Sequence, residues 1–343
     1  MKTISVDGGA LYGKSFTHFG NYTFSEQLIR ALIKYDQTNH YKVYLQEKYN
    51  DLPAQNQKVI VPRLGWLKLG ISAQELINPS EIFLGLNQAL PWYCPGKKIT
   101  VCHGLAPLKY GQFYPDSQKK MQQQISNIVE KSDWIIVGST KLRDSLNDII
   151  RVEKKIIIKP KIKVINYGIP ELFLKPKKSV RKNYLLYVGS SHPIKNLNFI
   201  FNAFTEFKKL TKVNDYQLVL VGVGKNLNIP DQIKNKVITI PHAKGELLKK
   251  LYAQARCLVS ASFEESFNLP ILEALSQNTP VVATKNAVIP ELISFVHVSQ
   301  SSISAFAKTL KQALDNPKPI NRLELIEQFN WQNFVKQLIR LYE

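Results

Sequence analysis

Short apolar runs alternate with longer amphipathic stretches along the whole of this 343-residue chain, the pattern of strands joined by crossover helices. In the first half the runs are Lys2–Val6, Lys42–Leu45, Lys58–Val61, Ile82–Leu86, Ile99–Cys102, Trp134–Val137 and Lys163–Asn166. In the second half they are Tyr184–Ser190, Gln217–Gly222, Val237–Ile240, Cys257–Ser262, Pro280–Thr284 and Val296–Ser299. Helices fit between them. Phe24–Ile33 reads as one, and Leu197, Ile200, Phe201, Phe204 and Phe207 make a single apolar face after Asn196, a residue type suited to capping a helix start. The implied class is α/β, with two doubly wound parallel-sheet units.

Apolar periodicity stops in ELFLKPKKSVRKN, residues 171–183, where charge and Pro176 take over. This predicts a first domain over 1–172, a second over 183–325 and a terminal segment over 326–343. That segment contains an amphipathic helix whose Trp331, Phe334, Val335, Leu338 and Leu341 need a surface to cover them. The length agrees, being too great for one ordinary core.

Composition narrows the setting. Cys94, Cys102 and Cys257 are widely separated and show neither metal-ligand nor disulfide spacing, which points to a reducing cytoplasm. Residues 1–9 contain no apolar signal core, and no apolar run approaches 18 residues, so neither export nor a membrane span is expected. The formal charge of +20 is unevenly spread: residues 141–182 hold 13 Lys or Arg against four acids, a net of +9. Such a block suits an anionic membrane surface, on the inner face of the cell membrane, or is simply a lysine-rich solvated face. Nucleic acid is not expected, because no zinc-finger, helix-turn-helix or base-stacking signature accompanies the charge.

Ligands of open parallel sheets bind beyond the carboxyl ends of the strands, so the chemistry is sought in the loops that follow the apolar runs. After Cys257–Ser262, Glu265 falls in a loop and Glu273 in the helix that Pro270 opens. The amides of Ser266 to Leu269 then sit at a helix start, where the dipole favours an anion. Capping by Glu265 and a solvated acid at Glu273 are the plainer alternative. After Tyr184–Gly189, Lys195 precedes Asn196 and brings a cation to another helix start. Gly8-Gly9-Ala10-Leu11-Tyr12-Gly13-Lys14-Ser15 satisfies the P-loop pattern, and a nucleotide triphosphatase is one alternative reading. Against it, Gly20 interrupts the helix that Lys14 would open, and no strand ends in a magnesium-positioning Asp. A non-enzymatic protein that binds anionic surfaces is the other alternative.

The words Glu-Ser-Phe-Asn-Leu-Pro-Ile-Leu-Glu, Glu265 to Glu273, resemble the E-x7-E signature of the family-4 retaining glycosyltransferases, glycosyl transferases group 1. Other words of that family occur in order. His18-Phe19-Gly20-Asn21-Tyr22 resembles its glycine loop, Cys102-His103-Gly104 its histidine segment, and Asn278-Thr279-Pro280 its turn back into a strand, with Asn278 where glycine is usual. The likeness runs from the Gly20 loop to the Trp331 helix. It implies a GT-B fold, two Rossmann-like domains facing a cleft, with the acceptor on the first, the donor on the second and the last helix crossing back to the first.

The implied enzyme is a retaining, metal-independent hexosyltransferase, mannosyl-like, working in cell-envelope polysaccharide synthesis. It would move sugar from a GDP- or UDP-linked donor to a glycan or lipid-linked acceptor, with no cofactor. No Asp-x-Asp is present to hold a metal. The resemblance assigns Glu265, His103 and Lys195 to catalysis. It assigns Ser190, Lys195, Glu265, Ser266, Phe267, Asn268, Leu269, Glu273, Gly20 and His242 to the donor. Ser190 and Ile194 stand where the family often has arginine, which leaves Lys195 as the cation for the diphosphate.

Overall fold

Each of the thirteen apolar runs overlaps a strand, and the strand pairings of the computed structural model are parallel. Residues 1–12, 20–60, 64–152, 160–211, 215–224 and 227–343 are described. They form two units, Met1–Gly168 with Asn330–Glu343, and Ile169–Phe329. The segment 171–183 lies within the second. There Ile169 N donates to the Phe329 carbonyl, and Gln277 Nε2 donates to the Phe173 carbonyl.

The first unit runs β1 (Thr3–Asp7), α1 (Gly20–Tyr35), β2 (His40–Leu45), β3 (Gln57–Val59), α2 (Ser72–Ile77), β4 (Ile82–Gly85) and β5 (Lys97–Cys102). It continues with α3 (Ala106–Lys109), α4 (Gln118–Lys131), β6 (Trp134–Val137), α5 (Thr140–Val152) and β7 (Lys161–Val164). The sheet order is β3-β2-β1-β4-β5-β6-β7, so the chain turns from one side of β1 to the other between β3 and β4. Ile4, Val6, Val43, Phe83, Leu84, Ile99, Val101, Ile135 and Val137 are buried. Parallel strands covered on both faces are expected to be this uniformly apolar.

The second unit runs β8 (Tyr184–Val188), α6 (Leu197–Thr211), β9 (Gln217–Val221), β10 (Val237–Ile240), α7 (Gly245–Gln254) and β11 (Cys257–Ser260). It ends with α8 (Leu269–Ser276), β12 (Val281–Thr284), β13 (His297–Ser299), α9 (Ile303–Asp315) and α10 (Arg322–Gln328). Its order is β10-β9-β8-β11-β12-β13. The five apolar positions read for α6 are all buried, with Phe199 meeting Phe306 of α9 edge to face at 5.4 Å. Asn278 has φ 59°, the left-handed conformation that lets asparagine stand in for a helix-ending glycine. Asn196 departs from the reading as a side-chain cap. It too is left-handed (φ 55°), its backbone carbonyl accepts from Phe199 N, and its side-chain amide goes elsewhere.

The terminal helix α11 (Trp331–Ile339) packs within the first unit. Asn330 caps it by accepting from the amides of Gln332 and Asn333, and Trp331 and Phe334 lie 5.7 and 6.0 Å from the Phe24 ring of α1. Gly168 is required by this contact: a Cβ there would sit 2.5 Å from Trp331. Beyond the helix, Lys2 Nζ donates to the Tyr342 carbonyl at 2.7 Å. Among the described residues no helix is long and apolar enough to cross a membrane.

Candidate functional site

The order of the second sheet places its topological switch point between β8 and β11, the neighbouring strands from which the chain departs in opposite directions. Loops beyond such a point diverge and leave a crevice for a ligand. The loop after β8 carries Ser190 to Asn196, and the loop after β11 carries Ala261 to Asn268. Three contacts fasten one to the other. Phe263 N donates to the Ile194 carbonyl at 2.9 Å, Asn196 Nδ2 donates to the Ala261 carbonyl at 3.2 Å, and Lys195 Nζ meets Glu265 Oε1 at 2.6 Å.

The last of these is the chemical centre. Lys195 and Glu265 lie 70 residues apart in sequence, yet they form an ion pair with side chains 29% and 12% exposed. The pair is sheltered enough to be screened weakly and open enough for a ligand to reach it. Ser262 Oγ also donates to Glu265 Oε1, at 2.8 Å, so the carboxylate is oriented by two donors. Tyr187 of β8 is close by: burial raises its phenol, and the Glu265 charge adds to that rise.

Glu273 is placed differently. It is on the inner side of α8, buried, and receives the Tyr252 hydroxyl on Oε2 at 2.7 Å. Burial pushes its carboxyl up to about 7, and the Tyr252 hydrogen bond only partly opposes this. Tyr252 is itself held, its carbonyl accepting from Thr279 Oγ1 at 2.7 Å. The two acids of the motif therefore have opposite characters, one an open, paired carboxylate and the other a buried group that gains its proton easily.

The remaining second-unit positions fall around this centre. Ser190 folds onto its own loop: its carbonyl accepts from Tyr187 OH at 2.7 Å and its Oγ from His192 N at 3.4 Å. Phe267 buries its ring, 6.0 Å from that of Phe329. Asn268 is left-handed at φ 68°, and its side-chain amide donates to Ser260 Oγ and the Ala287 carbonyl. Leu269 and Pro270 open α8 directly behind it, while Ser266 is half-buried in the loop. His242 lies apart, in the loop after β10 at the edge of the sheet.

In the first unit, His103 follows β5 and both its ring nitrogens are engaged. Nε2 lies 2.6 Å from the Leu86 carbonyl, which can only accept, so Nε2 carries the proton and Nδ1 accepts from Tyr167 OH at 3.2 Å. Burial lowers its pKa to about 4, and the Phe24 ring meets it edge on at 4.8 Å. Its backbone amide donates to Gln88 Oε1. Gly20 begins α1, exposed, with nothing within 4 Å of a notional Cβ. Of the P-loop pattern, Gly13 to Ser15 lie outside the described residues, as does His18. Gly8 packs against the Tyr44 carbonyl and Gly9 N donates to Asp7 Oδ1, so both glycines are used inside the first unit.

Ser262, Tyr187 and Tyr252 belong to the site and carry no sequence signal of their own. Ser262, three residues before Glu265, was within reach of a turn argument. Tyr252 looks like any core aromatic on a helix. Among the described residues, no three His, Cys, Asp or Glu side chains gather where they could hold a metal ion.

Residues 182–316, most of the second unit, match the sequence family Glycosyl transferases group 1. The chain is 24% identical over 329 residues to the O-antigen chain mannosyltransferase B of Escherichia coli, covering 87% of this chain and 86% of that protein. It is 26% identical over 269 residues to the O-antigen chain mannosyltransferase RfbU of Salmonella typhimurium, covering 71% and 73%. Among solved structures, sucrose-phosphate synthase from Thermosynechococcus elongatus superposes with a TM-score of 0.75 at 16% identity, over 100% of this chain and 98% of that one. The fold is GT-B, and the likeness to the glycosyl transferases of group 1 lies in the second unit.

Proposed function

We propose that this protein is a glycosyltransferase that moves a hexosyl group, mannosyl in preference, from a nucleotide diphosphate sugar to a glycan or lipid-linked acceptor, with retention at the anomeric carbon and without a metal ion. The two relatives named as O-antigen mannosyltransferases support the sugar and the envelope polysaccharide setting. The observation that carries the reading is the Lys195–Glu265 pair at the switch point of the second sheet, with Glu273 on the helix behind it.

In this reading the donor, GDP- or UDP-linked, enters by exchange. Its diphosphate replaces Glu265 as the partner of Lys195, one anion for another, so the lysine keeps an anionic partner. Glu265, released from the lysine but still oriented by Ser262, accepts hydrogen bonds from the sugar hydroxyls. The amides of Ser266 to Leu269 share the work at the start of α8. Glu273 takes the ribose hydroxyls, with Tyr252 fixing its other oxygen. The bond from the anomeric carbon to the phosphate oxygen breaks, the acceptor oxygen bonds to the same face of that carbon, and the acceptor proton passes to the leaving phosphate oxygen. His103 enters as a neutral, fixed imidazole whose role is positional.

The test is a panel of sugar nucleotides incubated with enzyme and chelator, with the anomeric configuration of any product read by NMR. Transfer with retention, lost in Lys195→Ala together with nucleotide affinity, is the expected result. Neither hydrolysis nor transfer from any donor, with nucleotide binding unchanged in Lys195→Ala, overturns the assignment. Magnesium-dependent ATP hydrolysis abolished by Lys14→Ala would favour the triphosphatase instead.

A further inference from the structure

The chain passes between the two units twice, after Gly168 and after Phe329, and the second-unit residues at these two points are tied together. Ile169 N donates to the Phe329 carbonyl at 3.0 Å. Both tied segments are buried, through Ile169 and Phe173 on one and Leu325 and Phe329 on the other. A connection that only links two units is expected to be exposed and polar, as residues 175–180 are. Residues 169–173 and 325–329 do something more.

Each segment places an aromatic ring behind one acid of the Glu265–Glu273 motif. Phe329 meets Phe267 edge to face at 6.0 Å, and Phe267 lies two residues after Glu265, in the run Ser266 to Leu269 that opens α8. Phe173 meets Tyr252 edge to face at 5.8 Å, and the Tyr252 hydroxyl donates to Glu273. Such ring pairs are attractive only over a limited range of angles, so each contact sets the orientation of its partner as well as its position. The far end of α8 is braced by the same segments. Arg322, at the start of α10, donates from Nε to the Ser276 carbonyl at 3.1 Å and from Nη2 to the Leu174 carbonyl, while the Gln277 side chain joins Phe173 and Lys177. With Arg322 at Ser276 and Phe329 at Phe267, α10 lies along α8 in the opposite direction, over a helical length of about 10 Å. Within the loop itself, Glu265 is oriented by Lys195 and Ser262, and Asn268 by its bonds to Ser260 and Ala287. Phe267, between them, rests its ring on Phe329.

We propose that Phe329 and Phe173 are positioning residues of the donor site, Phe329 holding the Ser266 to Leu269 amides in place through Phe267, and Phe173 holding the Glu273 carboxylate in place through Tyr252. The inference rests on the donor reading given above and adds to it the two segments at the chain crossings. Calorimetric titration of GDP and UDP into full-chain variants, in chelator and with circular dichroism of each protein, tests it. Phe329→Leu and Phe173→Leu are each expected to lose about fivefold in nucleotide affinity while keeping their fold. Phe329→Leu costs no more than about twofold when Phe267 is already leucine, and Phe173→Leu no more than about twofold when Tyr252 is already phenylalanine, because each contact is then already gone. Phe306→Leu, an equally buried ring on α9, lowers the unfolding midpoint and changes affinity less than about twofold. Should Phe329→Leu lose its fold, Phe329→Met takes its place, and Phe173→Leu reads the other segment independently. Binding that needs Lys195 but is unchanged in the folded Phe329 and Phe173 variants overturns the inference and leaves the donor reading standing. Losses that multiply in full within either pair, or an equal loss in Phe306→Leu, also overturn it, since general loosening would then account for them. A wild type that binds neither nucleotide overturns both the inference and the reading beneath it.

Discussion

Both units end their central strands at a topological switch point, and the two ends are chemically opposite. In the second, Lys195 and Glu265 are charged, partly open and held by one another, so a ligand with an anionic end and hydroxyls can replace each partner in turn. In the first, Asp7, Asn87, Gln88 and His103 are bound among themselves and to nearby backbone. Asn87 Nδ2 reaches Asp7 Oδ2, Gln88 holds the His103 amide, and the imidazole spends both nitrogens on Leu86 and Tyr167. The same topology thus yields one end whose charged pair is partly open and one whose polar groups are spent on their own surroundings. Fold locates a site, and the availability of its charges decides what the site does.

This contrast can be broken most forcefully through Phe24, which packs on His103, Tyr167, Trp331 and Phe334 of the first unit. Phe24→Ala is expected to cost about 3–5 kcal/mol of stability in denaturant unfolding, by cavity formation, while nucleotide affinity of the folded protein stays unchanged. A parallel loss of affinity would mean that the first unit's end is not merely structural.

The two buried titratable groups sharpen the contrast in opposite directions of pH. The Glu273 carboxyl is raised from 4.5 to about 7, so burial costs nothing while it is protonated, and stability falls as pH rises from about 4.5 through 7. The His103 imidazole is lowered from 6.5 to about 4, so stability is held at neutral pH and falls as pH drops from about 6.5 through 4. Each contributes up to about 3 kcal/mol. Melting temperature against pH should lose its neutral-side decline in Glu273→Gln and its acid-side decline in His103→Asn. An unchanged profile in either variant would show that the group titrates normally.

Tyr252→Phe is expected to have a smaller effect. It removes one hydrogen bond to a buried acid, costing about 1–2 kcal/mol, and moves the Glu273 decline to higher pH. If the decline moves to lower pH, Tyr252 is not the group that stabilises the carboxylate.

The strands were the most legible part of the molecule, because a parallel strand buried on both faces must be a short apolar run and little else in a soluble chain looks like one. The apolar face of α6, the proline start of α8 and the left-handed Asn278 followed from equally local rules. What stayed hidden depends on distant partners. Asn196 carries the residue type of a cap, but Ala261 draws its side chain away. The buried Glu75 of α2 carries no local sign of its burial, which comes from Ser5, Tyr44 and Ser80 converging on it. Lys195 and Glu265 were each legible as chemistry, though not as a pair, since nothing within 70 residues of chain shows that two loops meet.

In the proposed function this pair is the exchangeable anchor for a nucleotide diphosphate. Calorimetric titration of GDP and of UDP into the wild type and Lys195→Ala, both in chelator, tests it most directly. Saturable binding of one nucleotide to the wild type is expected, with a loss of about 10- to 100-fold in the variant, the worth of a charged hydrogen bond to phosphate. Equal affinity in the two proteins would contradict it.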